Sequence, residues 1–419
     1  MATGYLEILR TRHALRLLAG TLVGRLPNAT AAIALVLFVR AGGGTYSLAG
    51  ALAAVYGVAN AVGQPVLGRL VDLYGQPRVQ LPAAVLSALA MTAFAFTGTG
   101  PLPFAYAAVA AAGLFAPPLE GGLRALWPSV LRREERVHTA YAMDAVAQEV
   151  MFTVGPLLVT LCASLWSERA ALLVLNALGV LGALSVVCSA PSRAWRSAPR
   201  EAHWLGALRS PGLLALLGAF LFVGIALGSI TVASVPYADG HGGDAVYGWL
   251  MAALGLGALL GGSVYGARRW SGAPERRLRV LVGLLAVCYL PLMLMPGAVA
   301  MVLLTVVSGV FLAPCIACAF IIVDRHAPVG TVTEAFSWVV TTFTVGASVG
   351  TGLAGPVVQA GGALWGFALP GAAGAVSLLV LLATGGVLAA PVRGGVVAVS
   401  PENDPDRAAD PRFSPGDRA

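Results

Sequence analysis

The chain has 419 residues, of which 58% are hydrophobic and only 11% are charged. A soluble domain usually carries about a quarter charged residues, so the composition excludes a water-facing globular fold and predicts helices embedded in a lipid bilayer. The net charge is +7, and all 26 basic residues are arginine. In a membrane protein such charges set the orientation of the chain, so we expect no nucleic-acid partner.

Twelve apolar segments approach the length of about 20 residues that a helix needs to cross a bilayer. They are Leu15–Val39, Leu48–Val71, Val79–Phe96, Leu102–Leu126, Tyr141–Leu165, Ala170–Cys188, Leu213–Val235, Val246–Ala267, Leu278–Met295, Ala298–Val323, Ala335–Gln359 and Trp365–Ala389. We number these predicted spans one to twelve. The loops between them are short, and an even number of crossings places both ends of the chain on the same side of the membrane.

The arginines are concentrated on one side of the predicted membrane. The amino terminus and every second loop carry nearly all of them, whereas the opposite loops show only Arg40 and Arg169. Because cytoplasmic loops are enriched in Lys and Arg, both termini are expected to be cytoplasmic. The absence of lysine and the abundance of alanine and glycine indicate a bacterial source. The sequence therefore predicts a multi-pass protein of the bacterial plasma (inner) membrane.

A polar stretch divides the chain into two halves. The longest internal polar segment, Ser189–Pro211, lies between spans six and seven. It separates an amino-terminal six-helix bundle (1–188) from a carboxy-terminal six-helix bundle (212–390), with 189–211 as a cytoplasmic linker. Beyond Pro391 the sequence is rich in Pro, Asp and Arg, which predicts a disordered cytoplasmic tail over 391–419.

The loop after span two carries a recognisable motif. Segment 68–78 reads GRLVDLYGQPR, with Gly68, Asp72, Gly75 and Arg78 at its key positions. Two six-helix halves joined by a cytoplasmic loop, together with this motif, resemble the major facilitator superfamily (MFS). The resemblance implies an all-α membrane fold of twelve transmembrane helices in two pseudo-symmetric six-helix bundles. It also implies a central cavity between the halves and transport by alternating access.

The resemblance assigns a gate to this motif. In the family the aspartate is thought to hold the cytoplasmic side closed by facing the amino end of helix eleven, where free N–H groups and the helix dipole favour negative charge. Gly68 and Gly75 are expected to permit a tight turn, and Arg78 completes the motif. The alternative is that Asp72 merely ends helix two in water.

Glu334 is included in the gate because it lies at the start of span eleven. Two interpretations of this residue stay open. Thr331–Glu334 matches the Ser/Thr-x-x-Glu capping box, in which the side chains of both end residues satisfy backbone N–H groups. The other interpretation gives the Glu334 carboxylate a part in gating or ion transport.

Polar groups at membrane depth are costly and usually functional, and the first half of the chain holds most of them. Glu120 lies four residues before Arg124, so the two can pair along one helix. Pro117 and Pro118 precede them and predict a kink, either a gating hinge or a packing feature. The candidates for substrate or ion binding are Arg25, Asn28, Glu120, Asp144 and Glu149.

Arg25 and Glu149 are expected to pair. Both lie about eleven residues, or roughly 16 Å, from the cytoplasmic start of their helices. An unpaired charge at that depth costs several kcal/mol. The pair is either structural, or functional with Glu149 taking a proton while substrate occupies Arg25. In the functional case Asp144 relays the proton towards the cytoplasm.

The expected function is secondary active transport, and no enzymatic activity is expected. The sequence has no Gly-x-x-x-x-Gly-Lys-Ser/Thr phosphate-binding motif and its histidines do not cluster, so we expect no cofactor and no metal. The second half offers a largely apolar cavity surface with Ser229, Thr231, Thr305 and Ser308, which suits amphipathic or drug-like molecules. The prediction is efflux of such small molecules by a monomer in the lipid bilayer, with protons as the candidate coupling ion. The alternatives are uptake of a small anionic metabolite, an integral membrane enzyme and a non-transporting sensor.

Overall fold

A computed structural model describes residues 2–131, 133–198, 203–268 and 270–389, and within these ranges the regular structure is helical. The helices are α1 Ala2–Arg10, α2 Ala14–Ala41, α3 Tyr46–Tyr74, α4 Gln76–Thr97, α5 Leu102–Leu114, α6 Leu119–Leu131, α7 Glu134–Leu165, α8 Glu168–Val187, α9 Ala190–Ala194, α10 Pro211–Asp239, α11 Asp244–Ala267, α12 Pro274–Tyr289, α13 Ala298–Gly309, α14 Leu312–His326, α15 Val332–Ala383 and α16 Gly385–Ala389. Short 3-10 turns occupy Gly206–Arg209 and Leu290–Leu294. The predicted tail over 391–419 lies outside the described residues.

The predicted number of membrane crossings is confirmed. Within the described ranges, 11 helical stretches are long and apolar enough to cross a membrane. One of them, α15, has 52 residues and is interrupted at Gly362, whose φ of 75° is not helical. At about 1.5 Å per residue this stretch is long enough for two crossings, so the fold has twelve. The interruption falls between predicted spans eleven and twelve.

Small residues bring the helices of each bundle together. In the first bundle α2 packs on α8, and a Cβ on Gly182 would lie 2.6 Å from the Cα of Gly24. In the second bundle α10 packs on α15, where a Cβ on Gly224 would lie 3.1 Å from the Cα of Gly346. Such close backbone contact is the usual role of glycine in membrane helices.

The two bundles contact each other near the loops in which the arginines concentrate. We call this side of the molecule the arginine-rich end. It comprises the described residues among Gly75, the connection between α6 and α7, the segment between α8 and α10, the connection between α11 and α12, and residues 327–331. Tyr141 of α7 packs against Phe320 of α14 and Phe336 of α15, with ring centroids 6.2 and 5.8 Å apart. The Thr341 hydroxyl of α15 donates to the carbonyl of Ala61 in α3 at 3.3 Å. The bundles are therefore in direct contact over the helix segments that lead to this end.

Candidate functional site

The fourth membrane crossing is broken in its middle. Helix α5 ends at Leu114 and α6 begins at Leu119, because Pro117 and Pro118 have no backbone N–H and cannot continue the helical hydrogen bonds. The predicted kink is thus a complete interruption of the helix. It leaves carbonyl groups inside the bundle without helical partners.

Side-chain amides from neighbouring helices satisfy these carbonyl groups. Gln64 of α3 donates from Nε2 to the Ala116 carbonyl at 2.9 Å and to Asn60 Oδ1 at 3.2 Å. Gln80 of α4 donates from Nε2 to the Pro118 carbonyl at 3.5 Å. A buried carbonyl without a partner costs about 1–3 kcal/mol, so these glutamines make the interrupted helix tolerable at membrane depth.

The interruption positions Glu120 in the first turn of α6. The first N–H groups of a helix have no intrahelical partner, and the helix dipole there favours a carboxylate. One carboxylate oxygen, Oε1, lies 2.6 Å from Arg25 Nη2 of α2. The other oxygen, Oε2, lies 3.3 Å from Arg124 Nη2, one turn further along α6. Glu120 therefore bridges two arginines.

Asp144 of α7 closes the same set of charges into a ring. Arg124 Nε donates to Asp144 Oδ2 at 2.6 Å, and Arg25 Nη1 lies 3.5 Å from Asp144 Oδ1. We call Arg25, Glu120, Arg124 and Asp144 the charge quartet. Its two positive and two negative charges balance, which meets the requirement that buried charges be paired.

The members of the quartet differ in burial, and the contacts between neighbouring charges differ in strength. Arg124 and Asp144 are fully buried, whereas the Glu120 side chain is 13% exposed. Arg25 Nη1 and Asp144 Oδ1 face each other without a hydrogen bond. The Arg25–Asp144 contact is therefore the weakest in the quartet, and Glu120 is the most solvent-accessible member of the quartet.

The predicted Arg25–Glu149 ion pair is not formed in the structure. The acidic partners of Arg25 are Glu120 and Asp144. Equal depth fixes the height of a residue along a helix but not the side from which it projects. Glu149 follows Asp144 by five residues and projects about 140° away around the helix axis. The Glu149 side chain is half-buried on α7.

Arg124 also links the quartet to the second bundle. Its guanidinium carbon lies 3.7 Å from the ring centroid of Phe320 and 5.9 Å from that of Phe336. A guanidinium over an aromatic face is attracted by about 0.5–2 kcal/mol, the larger value applying to desolvated sites. The sequence identified Arg124 as a partner of Glu120 but gave no indication of this contact between bundles.

A small cavity adjoins the quartet inside the first bundle. Its volume open to the centre of a water-sized sphere is about 20 Å³, which is room for about one water molecule. Arg25, Asn28 and Glu120 line it, and Asn28 Oδ1 accepts a hydrogen bond from the Tyr56 hydroxyl at 3.3 Å. Binding pockets for drug-sized molecules measure about 300–1,000 Å³, so in this conformation the cavity is of water size.

Asp72 lies at the amino end of α15, as the gate prediction expects. Its two carboxylate oxygens accept the backbone N–H groups of Thr333 at 3.1 Å and Glu334 at 2.8 Å. These are the second and third residues of the helix, whose N–H groups have no intrahelical acceptor. Asp72 of the first bundle therefore caps a helix of the second.

The predicted capping box at Thr331–Glu334 is not formed. The Thr331 hydroxyl donates to the Pro328 carbonyl at 2.8 Å and accepts no capping hydrogen bond. Asp72 accepts the hydrogen bond from the N–H group of Glu334, which a threonine cap would otherwise accept. The Glu334 carboxylate lies instead against Gly206, where a side chain would collide with it. Gly206 belongs to the predicted linker.

The two glycines of the motif have different roles. Gly75 ends α3 with a φ of 87°, a backbone conformation that favours glycine, and so forms the expected turn. Gly68 lies inside α3, where a Cβ would meet Ser337 Oγ at 2.7 Å. It permits close approach of α3 and α15 rather than a turn. Arg78 is in the first turn of α4, and its gate role stays a prediction.

Sequence reasoning missed the role of Arg69. This arginine donates from Nη1 to the Trp204 carbonyl at 2.6 Å and from Nη2 to the His203 carbonyl at 3.1 Å. Residues 203 and 204 of the predicted linker are thereby held against the motif that contains Asp72. Arg69 stands inside the motif, but nothing in the sequence shows which carbonyl groups it contacts.

Comparison with known proteins agrees with this architecture. A sequence model of the Major Facilitator Superfamily matches residues 17–331. A bacterial homologue of the iron transporter ferroportin, solved in an outward-facing state, has a similar structure: the TM-score is 0.71 at 15% identity, covering 89% of this chain and 99% of that one. The human organic anion transporter MFSD10 gives 0.66 at 17% identity, with 88% and 98% covered.

A variant of the Escherichia coli fucose:proton symporter FucP gives a TM-score of 0.62 at 17% identity, with 88% of this chain and 97% of that one covered. At such identities the likeness shows the fold alone. A search of curated proteins finds no match.

Proposed function

Because the chain belongs to the Major Facilitator Superfamily, we propose that it exports amphipathic or drug-like small molecules by proton-coupled alternating access. At the coarser level the chain is a multi-pass membrane transporter, not an enzyme. The export direction, the solute class and the proton are the parts that we propose. The charge quartet is the observation that carries the coupling to protons.

The quartet gives a proton a defined place to act. Glu120 is its most exposed member and borders the cavity. A proton on Glu120 removes the negative charge that faces both Arg25 and Arg124. The ring then carries an uncompensated positive charge, which is costly at this depth and favours rearrangement. Arg124 transmits that change because its guanidinium rests on Phe320 of the other bundle.

The solute class follows from how polar groups in the second bundle are used. The hydroxyl groups of Ser229, Thr305 and Ser308 all donate to carbonyl groups of their own helices, and Thr231 does the same. These hydroxyl groups therefore already have hydrogen-bond partners, and Ser229, Thr305 and Ser308 are buried in this conformation. We propose that the wall that opens around them is apolar. An apolar wall with few polar anchors suits amphipathic solutes. An anionic substrate is disfavoured because Arg25 already has two carboxylate partners.

The arrangement in the cell completes the proposal. We place the arginine-rich end in the cytoplasm by the positive-inside rule, with both termini there and the protein acting as a monomer in a bacterial plasma membrane. Residues 1–188 and 212–390 then form the two moving bundles, joined by the linker 189–211. With Asp72 on the α15 amino end, the described conformation is the one closed towards the cytoplasm.

Flux measurement in proteoliposomes tests the proposal. Purified protein is reconstituted with hydrophobic fluorescent dyes, with and without an imposed pH gradient. The wild type is expected to move dye faster under the gradient, and Glu120→Gln is expected to lose that acceleration. Glu168→Gln, which removes an acid from the first turn of α8, is the matched control and should keep it. Gradient-driven flux in Glu120→Gln equal to the wild type contradicts the coupling role, and absence of gradient-driven flux in the wild type contradicts the function.

A further inference from the structure

A second, larger cavity lies at the arginine-rich end between the two bundles. Its volume open to the centre of a water-sized sphere is about 350 Å³, against about 20 Å³ for the cavity beside the quartet. Helices α1 and α7 of the first bundle and α11, α12 and α14 of the second contribute to its wall. The volume falls within the range of small-molecule binding sites.

Positive charge predominates in the wall of this cavity. Four arginines and a histidine line it, against the two acidic residues Glu7 and Glu135. The basic residues are Arg133, Arg136, His138, Arg268 and Arg277. We call it the basic cavity.

Arg268 and Arg277 are held by aromatic rings instead of acids. Their guanidinium carbons lie 5.1 and 5.4 Å from the centroid of Trp270, and Arg277 also lies 5.6 Å from that of Tyr265. Neither forms an ion pair with an acid in the described part of the chain. Arg277 Nε is buried and donates no hydrogen bond to any described residue. By contrast Arg136 is paired with Glu7.

We propose that the basic cavity binds a phosphate-bearing anion. A guanidinium presents a planar set of donors that matches phosphate oxygens, and stacking on Trp270 holds two of them in place before any ligand arrives. The excess of arginines over glutamates suits a ligand of one or two negative charges. Two sources share this chemistry: the headgroup of an anionic phospholipid and a soluble phosphate compound.

Binding at this site favours one conformation of the protein. Arg133 and Arg136 belong to the first bundle, and Arg268 and Arg277 to the second. A bound anion bridges them and therefore binds more tightly when the arginine-rich end is closed than when it is open. By linkage the anion shifts the equilibrium towards the closed form. The bound anion thus stabilises the closed conformation from a site that is separate from the solute pathway.

Thermal stability measures the binding directly and does not depend on transport. Purified full-length protein in a neutral detergent is titrated with phosphatidylglycerol, with inorganic pyrophosphate or with phosphatidylcholine. We expect the melting temperature to rise with one or both of the first two and not with phosphatidylcholine, which has no net charge. Which of the first two acts identifies the source. No rise with either, or an equal rise with phosphatidylcholine, overturns the proposal.

Matched variants test whether the cavity itself is the site. Arg268→Gln and Arg277→Gln should each raise the half-saturating anion concentration about tenfold. This is the effect of losing one hydrogen bond to a charged group. Arg193→Gln removes the same charge from an exposed position at the same end and should change nothing. Equal weakening by Arg193→Gln shows a general surface effect and overturns the assignment.

A variant that should tighten anion binding keeps the test independent of folding defects. Glu7→Gln removes the carboxylate that competes for Arg136, so the anion should bind more tightly. Unchanged or weaker binding by a folded Glu7→Gln protein contradicts the proposal, even if the arginine variants fail to fold.

Discussion

Asp72 joins the two bundles through backbone N–H groups that α15 cannot satisfy itself. A carboxylate in this position accepts two hydrogen bonds and meets the positive end of the helix dipole. Because donor and acceptor belong to different bundles, the contact exists only while the arginine-rich end is closed. Capping usually stabilises one helix, whereas here we propose that it stabilises one conformation of the transporter.

Replacing Asp72 by Asn therefore tests the gate. The amide keeps the shape but loses the charge and one acceptor, so the closed form should be weakened by about 1–2 kcal/mol, a five- to thirtyfold change in population. The reporter is Ser337→Cys, whose parent residue is 2% exposed at this interface, in a background without the native cysteines. Labelling by an impermeant maleimide should accelerate in Asp72→Asn. Asp239→Asn, an exposed acid at the end of α10, is the control, and equal labelling of the two variants contradicts the gate role.

Gly68 offers a steric test of the same closure. In Gly68→Ala the new methyl group meets Ser337 Oγ at 2.7 Å and Glu334 Cα at 3.1 Å, so α3 and α15 must separate. Gly57→Ala is the matched control in the same helix, because a Cβ there meets nothing within 4 Å. An alanine in a helix is otherwise better than glycine by about 0.5–1 kcal/mol. We expect a lower melting temperature for Gly68→Ala and an unchanged or higher one for Gly57→Ala. Equal melting temperatures contradict the close contact.

Sequence reasoning identified the charged residues of the site but not how they pair. The sequence identifies Arg25, Glu120 and Asp144 because charges at membrane depth need a role, and its motif identifies Asp72. The partner of Arg25 was wrong, since helix depth carries no information about direction around the helix axis. Arg124 appeared as a local pair of Glu120 because residues four apart are visible in a sequence. Its contact with Asp144 depends on how α6 and α7 pack.

At the scale of helices, apolar length predicts the crossings, and the two prolines predict a kink at the place where α5 and α6 are interrupted. Most predicted spans begin and end within a few residues of the observed helix bounds. Tyr141–Leu165 is the largest difference, since α7 begins at Glu134. Its first two turns are polar enough to lie outside an apolar segment yet continue the same helix. Hydropathy reports which residues contact lipid, whereas a helix can extend past the lipid into the polar region.

The contact between α6 and α14 yields a prediction about these two helices. Phe320→Leu keeps an apolar side chain but removes the ring beneath Arg124, at a cost of about 0.5–2 kcal/mol to the closed form. Phe94→Leu is the control, because Phe94 is equally buried but packs on Phe38 within the first bundle. Both variants should lower the melting temperature. Only Phe320→Leu should also accelerate labelling of Ser337→Cys, and labelling that accelerates equally in both contradicts the role of the ring.

At the scale of the whole molecule, each device at the arginine-rich end uses one group from each bundle. Asp72 caps α15, Arg124 rests on Phe320, and the basic cavity is lined from both sides. The motif and the family resemblance predict the first contact, between Asp72 and the amino end of helix eleven. The other two depend on how the helices pack, so the sequence does not reveal them. Together they describe an interface that must separate if solute is to enter from this end.

Locking this interface should therefore stop transport. Ala61 and Thr341 lie in contact across it, since the Thr341 hydroxyl is 3.3 Å from the Ala61 backbone carbonyl. In a background without the native cysteines, the double variant Ala61→Cys, Thr341→Cys is treated with a short thiol cross-linker that a reductant can cleave. Alternating access requires the bundles to part here, so dye flux should fall to the level of empty liposomes and return after reduction. Each single-cysteine variant, treated in the same way, is the control and should keep its flux. Undiminished flux in a double variant that is cross-linked, as judged by mass spectrometry of the linked peptides, would show that the two bundles do not separate at this interface during transport.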